Sequence, residues 1–416
     1  MTSKGPNGTR ISVSPVAVAA LALAVVIFPA WGAPQPAHAE KFKVLYAFPG
    51  GTNGSTPAGK LILDASGNLY GTTEYTRAQY TGYGTVFKLD STGKETVLYV
   101  FTGGADGAWP YGGLVQDAAG NLYGSTTQGG NPSCGDGCGV VFKLDTSGKE
   151  TVLYQFSGGS DGANPNGDLV RDKAGNLYGT AYWAPYGGAG AVFKVDEKGN
   201  ETVLHEFAGL PDGATPLSGL FRDGKGNLFG TTIGGGGGAC EGGCGTVFKV
   251  SKTGEETIVY RFLASPDGAF PYGGLIPGTT GNFYGTTYNG GDPACNDLGP
   301  GCGTVFEVSA AGREKVLYRF HQKKKEGYPW GGLVRDASGN LYGTTAGNLL
   351  FGQATLWGSV FKLDPQGKET VLHHFTGGID GCAPIASLTL DSAGNLYGTA
   401  SACGAYGNGV VFQIVP

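Results

Sequence analysis

Gly67-Asn68-Leu69-Tyr70-Gly71-Thr72-Thr73 is written, with small variations, seven times in this chain. The other copies open at Gly120, Gly175, Gly226, Gly281, Gly339 and Gly394. The motif Asn falls at Asn68, Asn121, Asn176, Asn227, Asn282, Asn340 and Asn395, so the spacings are 53, 55, 51, 55, 58 and 55 residues. A fixed period of this size marks a solenoid, an array or a propeller. The 79 Gly and 22 Pro among 416 residues follow the same period. They punctuate repeats rather than signal disorder.

Three further phrases travel with the motif. Ahead of it stands Leu-Val-x-Asp, as at Leu114 to Asp117. Behind it stands Gly-Thr-Val-Phe-Lys-Leu-Asp, as at Gly84 to Asp90, and then Val-Leu-Tyr-x-Phe, as at Val97 to Phe101. Each phrase is short, rich in Val, Leu, Tyr and Phe, and bounded by Gly, Asp or Asn, which reads as a strand. In repeat order the strands are A, B, C and D. Asp64-Ala65-Ser66-Gly67 joins A to B, and Asp90 to Lys94 joins C to D. Both are tight hairpins in which Gly can take positive φ. Four antiparallel strands per unit make a propeller blade.

The chain ends decide between an open array and a closed ring. Val44 to Phe48 is a D strand with no C strand before it, and Gly409 to Ile414 is a C strand with no D strand after it. Each strand type occurs seven times. The first D strand can therefore complete the last blade and remove an exposed edge. The expectation is an all-β fold, a seven-bladed β-propeller of four-stranded antiparallel blades, closed by the N-terminal strand and spanning residues 40–416.

Gly-Asn-Leu-Tyr-Gly-Thr-Thr, Gly-Thr-Val-Phe-Lys-Leu-Asp and Val-Leu-Tyr-x-Phe at this period resemble the GloVer tandem repeat, named for Gloeobacter and Verrucomicrobia. The resemblance covers nearly all of residues 42–416. It implies an exported bacterial protein of the choice-of-anchor tandem-repeat kind, often with a C-terminal sorting signal, and it carries over no catalytic residues. This chain stops at Pro416 directly after its last strand, so free secretion is expected.

Residues 1–39 read as a secretory signal peptide. Lys4 and Arg10 precede an apolar run from Val16 to Pro29, and Ala37-His38-Ala39 is an A-x-A cleavage site before Glu40. Its removal leaves 26 basic against 33 acidic residues, a net charge of −7. An acidic surface without a basic patch argues against nucleic acid and anionic membranes. The eight Cys group as Cys134/Cys138, Cys240/Cys244, Cys295/Cys302 and Cys382/Cys403. An even number in an exported chain favours disulfides, and zinc is the weaker reading because no His neighbours any pair. Three pairs fall in B–C loops. Cys382 and Cys403 lie in the last D–A and B–C loops and can meet only if those loops share a face.

Function on repeat scaffolds concentrates where loops vary, here the D–A and B–C loops. The D–A loop carries Asp106, Asp161, Asp212, Asp267, Glu326 and Asp380, with Asn53 in the first copy. Its sevenfold recurrence favours a turn-capping role over a single catalytic or metal site. All Trp of the mature chain lie in these loops: Trp109, Trp183, Trp330 and Trp357. Tyr111, Tyr186, Tyr272 and Tyr328 join them. After the repeat Pro one position varies through Ala58, Tyr111, Asn166, Leu217, Tyr272, Trp330 and Ile385, and should edge the central channel. Aromatics on an uncharged rim suit sugar rings or apolar ligands, while the competing reading is packing between blades. The candidate ligand-binding set is Trp109, Tyr111, Trp183, Tyr186, Tyr272, Trp330 and Trp357. One loop, His321 to Glu326, carries three Lys and reads as a solvated charged loop or a contact for an acidic polymer.

His205, His321, His373 and His374 do not cluster, and His205 and His373 stand where D strands carry Tyr. No nucleophile elbow, zinc-protease motif or phosphate loop appears. The leading expectation is an exported, monomeric binding propeller for a polysaccharide or surface protein, with no cofactor, metal or catalytic set. A propeller lactonase, lyase or glycoside hydrolase and a structural envelope component are the alternatives, since fold alone does not decide.

Overall fold

In a computed structural model of the chain the described residues are 41–76, 82–183, 188–295, 301–321, 327–348 and 356–416. The expected leader, Tyr186 and loop residues 322–326 lie outside them. The first blade consists of Ile62–Leu63, Leu69–Thr73, Thr85–Leu89 and Glu95–Val100, antiparallel in that order. Five more blades repeat it. The seventh consists of Thr389–Leu390, Leu396–Ala400, Val410–Val415 and, from the other end of the chain, Lys41–Ala47. Lys41 pairs with Val415 and Ala47 with Val410, so the ring closes as the strand count requires. The fold is a seven-bladed β-propeller. Among the described residues there is no α-helix, and none that could cross a membrane.

The motif residues have local work. Asp64 Oδ1 accepts the backbone N–H groups of Ser66 and Asn68, both at 2.9 Å. Its Oδ2 accepts the Asn68 amide at 2.8 Å and the Tyr70 hydroxyl at 3.1 Å. One carboxylate thus ties the A–B turn to the B strand, and Asp117, Asp172, Asp336 and Asp391 repeat the arrangement. The Gly of Leu-Tyr-Gly-Thr is needed for close approach. A Cβ on Gly71 would lie 2.8 Å from the Phe87 ring, which covers it.

Blades bury both faces against neighbours, so the C strands are buried almost throughout. At every interface the last Phe of one D strand meets the C-strand Phe of the next blade edge-on, from Phe48–Phe87 at 5.1 Å to Phe375–Phe412 at 5.3 Å. Such pairs add about 0.5–1.5 kcal/mol beyond burial. B-strand hydroxyls add a polar clasp. Thr72 donates to Gly112 O at 3.1 Å, Thr180 to Ser218 O at 3.0 Å and Thr286 to Gly331 O at 3.0 Å, each in the following blade.

The two variable loops share one face. Ser55 bridges to Tyr75, Ala108 to Gln128 and Cys382 to Ala402, each joining a D–A loop to a B–C loop. Gly213–Ala214 and Gly268–Ala269 pair similarly with Gly234–Gly235 and Asn289–Gly290. Four disulfides form, Cys134–Cys138, Cys240–Cys244, Cys295–Cys302 and Cys382–Cys403, and no described Cys is free. They staple Gly-rich loops whose ordering is entropically costly.

Candidate functional site

The strand-A ends converge on the central channel. Ala58, Tyr111, Asn166, Leu217, Tyr272, Trp330 and Ile385, the variable position of each blade, all line one cavity of about 210 Å³ at its mouth. The residue after each of them is small and brings backbone against backbone. A Cβ on Gly112 would lie 2.8 Å from Asn166 O, and one on Gly331 would lie 2.6 Å from Ala386 O. Successive blades abut so closely there that only Gly or another small residue fits.

Three of the expected ligand-binding residues come together. Tyr272 and Trp330, from consecutive blades, stack with centroids 4.2 Å apart and planes 23° apart. Tyr111 and Trp330 both pack against Ala58, Ala346 and Ile385. The other residues of the set are placed elsewhere. Trp109 lines a separate groove with Tyr83 and Gln128, packs 5.8 Å from Tyr75 and donates its indole N–H to Gly82 O at 3.0 Å. Trp183 is 49% exposed at the end of its B strand. Trp357 covers the D–A turn, where a Cβ on Gly377 would lie 2.5 Å from its ring. Tyr328 is fully buried and belongs to the core rather than to a rim.

Sequence reasoning passed over three charged residues, two that line this cavity and one whose charge acts on Tyr111. Lys60 and Asp168 line the cavity, where most blades carry Gly at the equivalent position. Asp168 Oδ1 accepts the Gly113 N–H at 2.6 Å. Glu74 follows Gly-Thr-Thr where the other copies have Thr127, Tyr182, Ile233, Tyr288, Ala346 and Ser401. Burial pushes its carboxyl up to about 7, against a hydrogen bond from Tyr75. Burial first, then the Glu74 charge, also pushes the Tyr111 hydroxyl well up. The signal for all three was available as breaks in the repeat, visible only when the copies are aligned column by column.

The described loop acids, Asp106, Asp161, Asp212, Asp267 and Asp380, are turn caps, as their recurrence implied, and Glu326 lies outside the described residues. Asp106 accepts the Tyr99 hydroxyl at 3.0 Å and the Thr102 N–H at 2.8 Å. In two blades His replaces the Tyr, and His205 and His373 lie 3.4 and 3.1 Å from Asp212 and Asp380. Among the described residues one set could hold a metal ion: His205, Asp212 and Glu256. It lies away from the residues that line the channel cavity.

The repeat decides the relationship of this chain to others. The Gloeobacter/Verrucomicrobia repeat model matches residues 35–172, 133–345 and 295–416, which together span the whole propeller. The chain belongs to the Gloeobacter/Verrucomicrobia repeat family. No curated protein matches the sequence of this family member. Among solved structures, the repeat propeller is similar to a protein described as the extracellular domain of a hybrid two-component system from B. thetaiotaomicron, with 12% identity and TM-score 0.55. The match covers 89% of this chain and 39% of that one, and at this identity it shows the fold alone. A protein described as a gluconolactonase matches at 16% identity and TM-score 0.42, covering 72% of this chain and 86% of the other. A luciferin-regenerating enzyme matches at 13% identity and TM-score 0.43, covering 73% and 90%.

Proposed function

We propose that this repeat propeller is exported, loses residues 1–39, and binds the end of a glycan chain at the channel mouth. The supporting observation is the stacked Tyr272–Trp330 pair on the rim of the cavity. Aromatic faces bury the apolar faces of sugar rings, while polar groups fix orientation. The cavity holds about 210 Å³. That is below the roughly 300–1,000 Å³ of pockets for drug-sized ligands, so a terminal ring suits it better than a buried chain. Four disulfides and the leader-like N-terminus support export. The net acidic charge supports a partner other than nucleic acid or an anionic membrane.

Titrating the intrinsic Trp fluorescence of the mature protein with bacterial and plant oligosaccharides tests this. A saturable response with the ligand recovered intact supports binding, and silence across the panel removes the proposal. A second reading, a lyase or hydrolase, is favoured by Glu74, which burial poises near neutrality as an acid–base group needs. Cleaved ligand would promote that reading, and Glu74→Gln should then stop turnover while binding persists.

A further inference from the structure

At the outer edge of the blade interfaces the same three-residue contact recurs. A D-strand Tyr, the Asp of the following D–A loop and the first Glu of the next D strand converge, as in Tyr99, Asp106 and Glu150. At two interfaces His replaces the Tyr, in different settings. At the interface of blades three and four His205 replaces the Tyr, while Asp212 and Glu256 are retained. At the interface of blades six and seven His373 also replaces Tyr, but the position of the Glu is taken by Phe42, whose ring stacks on the imidazole at 3.7 Å. Among the described residues, only the interface of blades three and four assembles an imidazole with two carboxylates.

We propose that His205, Asp212 and Glu256 form a binding site for a divalent transition-metal ion of the zinc type. One donor atom of each lies within 4.8 Å of the others, and His205 Nε2 is already 3.4 Å from Asp212 Oδ2. Tetrahedral ligands held at about 2.0–2.1 Å from zinc stand roughly 3.4 Å apart, so only a small contraction is needed. A second observation points to a ligand. Asp212 Oδ1 and Glu256 Oε1 are closed to solvent and have no hydrogen-bond partner. Buried carboxylate oxygens in that condition are costly, and a cation held between the two carboxylates would offset that cost. Glu150 and Glu201 share the orphaned oxygen at their own interfaces, and Asp267 Oδ1 and Glu314 Oε1 repeat the orphaned pair beside Tyr260, so the imidazole is what sets this interface apart. A protein cation, Arg261, is already nearby: its Nε–H donates to Pro211 O at 3.3 Å, next to Asp212, and its charge partly offsets the burial of Glu256 without bonding to either orphaned oxygen.

One nitrogen and two carboxylate oxygens form a borderline donor set that suits zinc, manganese or cobalt better than the all-oxygen shells of calcium. Three protein ligands leave a position for water. His205 lies in the D strand Glu201–Glu206, Asp212 in the loop beyond it and Glu256 in the D strand Glu256–Arg261. The ion would thus clamp two blades together. Because the unfolded chain lacks this arrangement, binding would stabilise the ring by mass action.

The test uses tag-free mature protein and zinc chloride, with calorimetric titration and thermal melts, and cobalt as a spectroscopic probe. One equivalent of zinc should bind saturably and raise the Tm in a concentration-dependent way. His205→Tyr installs the residue that other interfaces carry, so it should fold, and it should lower zinc affinity at least tenfold and abolish the Tm rise. His373→Tyr and His321→Ala should leave both unchanged. Absence of saturable binding to wild type overturns the proposal. So does undiminished binding in His205→Tyr, or loss of binding in either control instead.

Discussion

Tyr272 and Trp330 stack at 4.2 Å although 58 residues separate them in sequence, because both occupy the same repeat position in consecutive blades. Tyr288 meets both edge-on, at 5.4 and 5.6 Å. The three-ring cluster, with Tyr288 buried behind the two rings that line the cavity, breaks the sevenfold symmetry of the scaffold. Trp330 also packs with Tyr111 against Ala58 and Ile385, while Asn166 and Leu217 line the same cavity.

Trp330→Ala should weaken any oligosaccharide found in the titration by tenfold or more. Trp330 is only partly buried, so the stability cost should be about 2 kcal/mol, below that of a core Trp deletion. Trp357→Ala removes the cover over Gly377 and should lower the Tm while leaving affinity intact. Fluorescence titration and thermal melts of both variants separate the two roles. Equal effects of both substitutions on binding would count against a site at the channel mouth.

The fold was legible because ring closure is a counting argument. Val44 to Phe48 lacks a C strand and Gly409 to Ile414 lacks a D strand, and the pairing of Lys41 with Val415 follows. The loop face was legible from Cys382 and Cys403 for the same kind of reason, since a covalent bond constrains geometry directly. The site was only partly legible. Trp109, Trp330 and Trp357 share one loop face, but radial distance from the axis sorts them, and residue type carries no radial coordinate. The position after the repeat Pro does, because the Pro fixes where strand A begins, and Tyr111, Tyr272 and Trp330 were found by it. Glu74, Lys60 and Asp168 escaped because each is ordinary alone and informative only against the other six copies.

Stability should increase on mild acidification. Burial first, and then the charge of the adjacent loop Asp, raises Glu150, Glu201, Glu256 and Glu314 to about 7. In the unfolded chain Glu titrates near 4.3, so between roughly pH 4.3 and 7 the folded state binds more protons. The cost of burying these charges is present above pH 7 and is relieved as pH falls through 7. Below about pH 4 the sign reverses. Burial acts to raise Asp64, but hydrogen bonds from Asn68 and Tyr70 outweigh it and hold the carboxyl below the usual range. Asp117 and Asp172 are similar, and protonation removes what all three contribute. Tm measured from pH 3 to 9 should peak near pH 5, and Glu201→Gln should flatten the limb between 5 and 8. A Tm that falls steadily from pH 8 to 5 would refute the assignment.

The B-strand hydroxyls should not be equivalent. Thr286 donates to Gly331 O at 3.0 Å, whereas the Thr399 hydroxyl, at the closing interface, is buried without a partner. Thr286→Val leaves a buried carbonyl short of a donor and should cost about 1–2 kcal/mol. Thr399→Val removes an unpaired hydroxyl and should be neutral or stabilising. Urea denaturation of the two variants decides it, and equal losses would mean that the closing interface is clasped like the others.

Ring closure should account for a large share of the cooperativity. Lys41–Ala47 caps Val410–Val415, and Phe48, fully buried, sits edge-on to Phe87 in the first blade. Deleting residues 41–48 removes both and leaves a long, apolar C strand as an open edge. The truncated chain should be prone to aggregation and should unfold in a broader transition. Phe48→Ala is the gentler test. If the closing blade is as tightly joined as the rest, this substitution should cost about 3–5 kcal/mol, the same as Phe101→Ala at the first interface. A markedly smaller loss at Phe48 in matched denaturant titrations would show a ring that is closed in shape but held mainly by its other six interfaces.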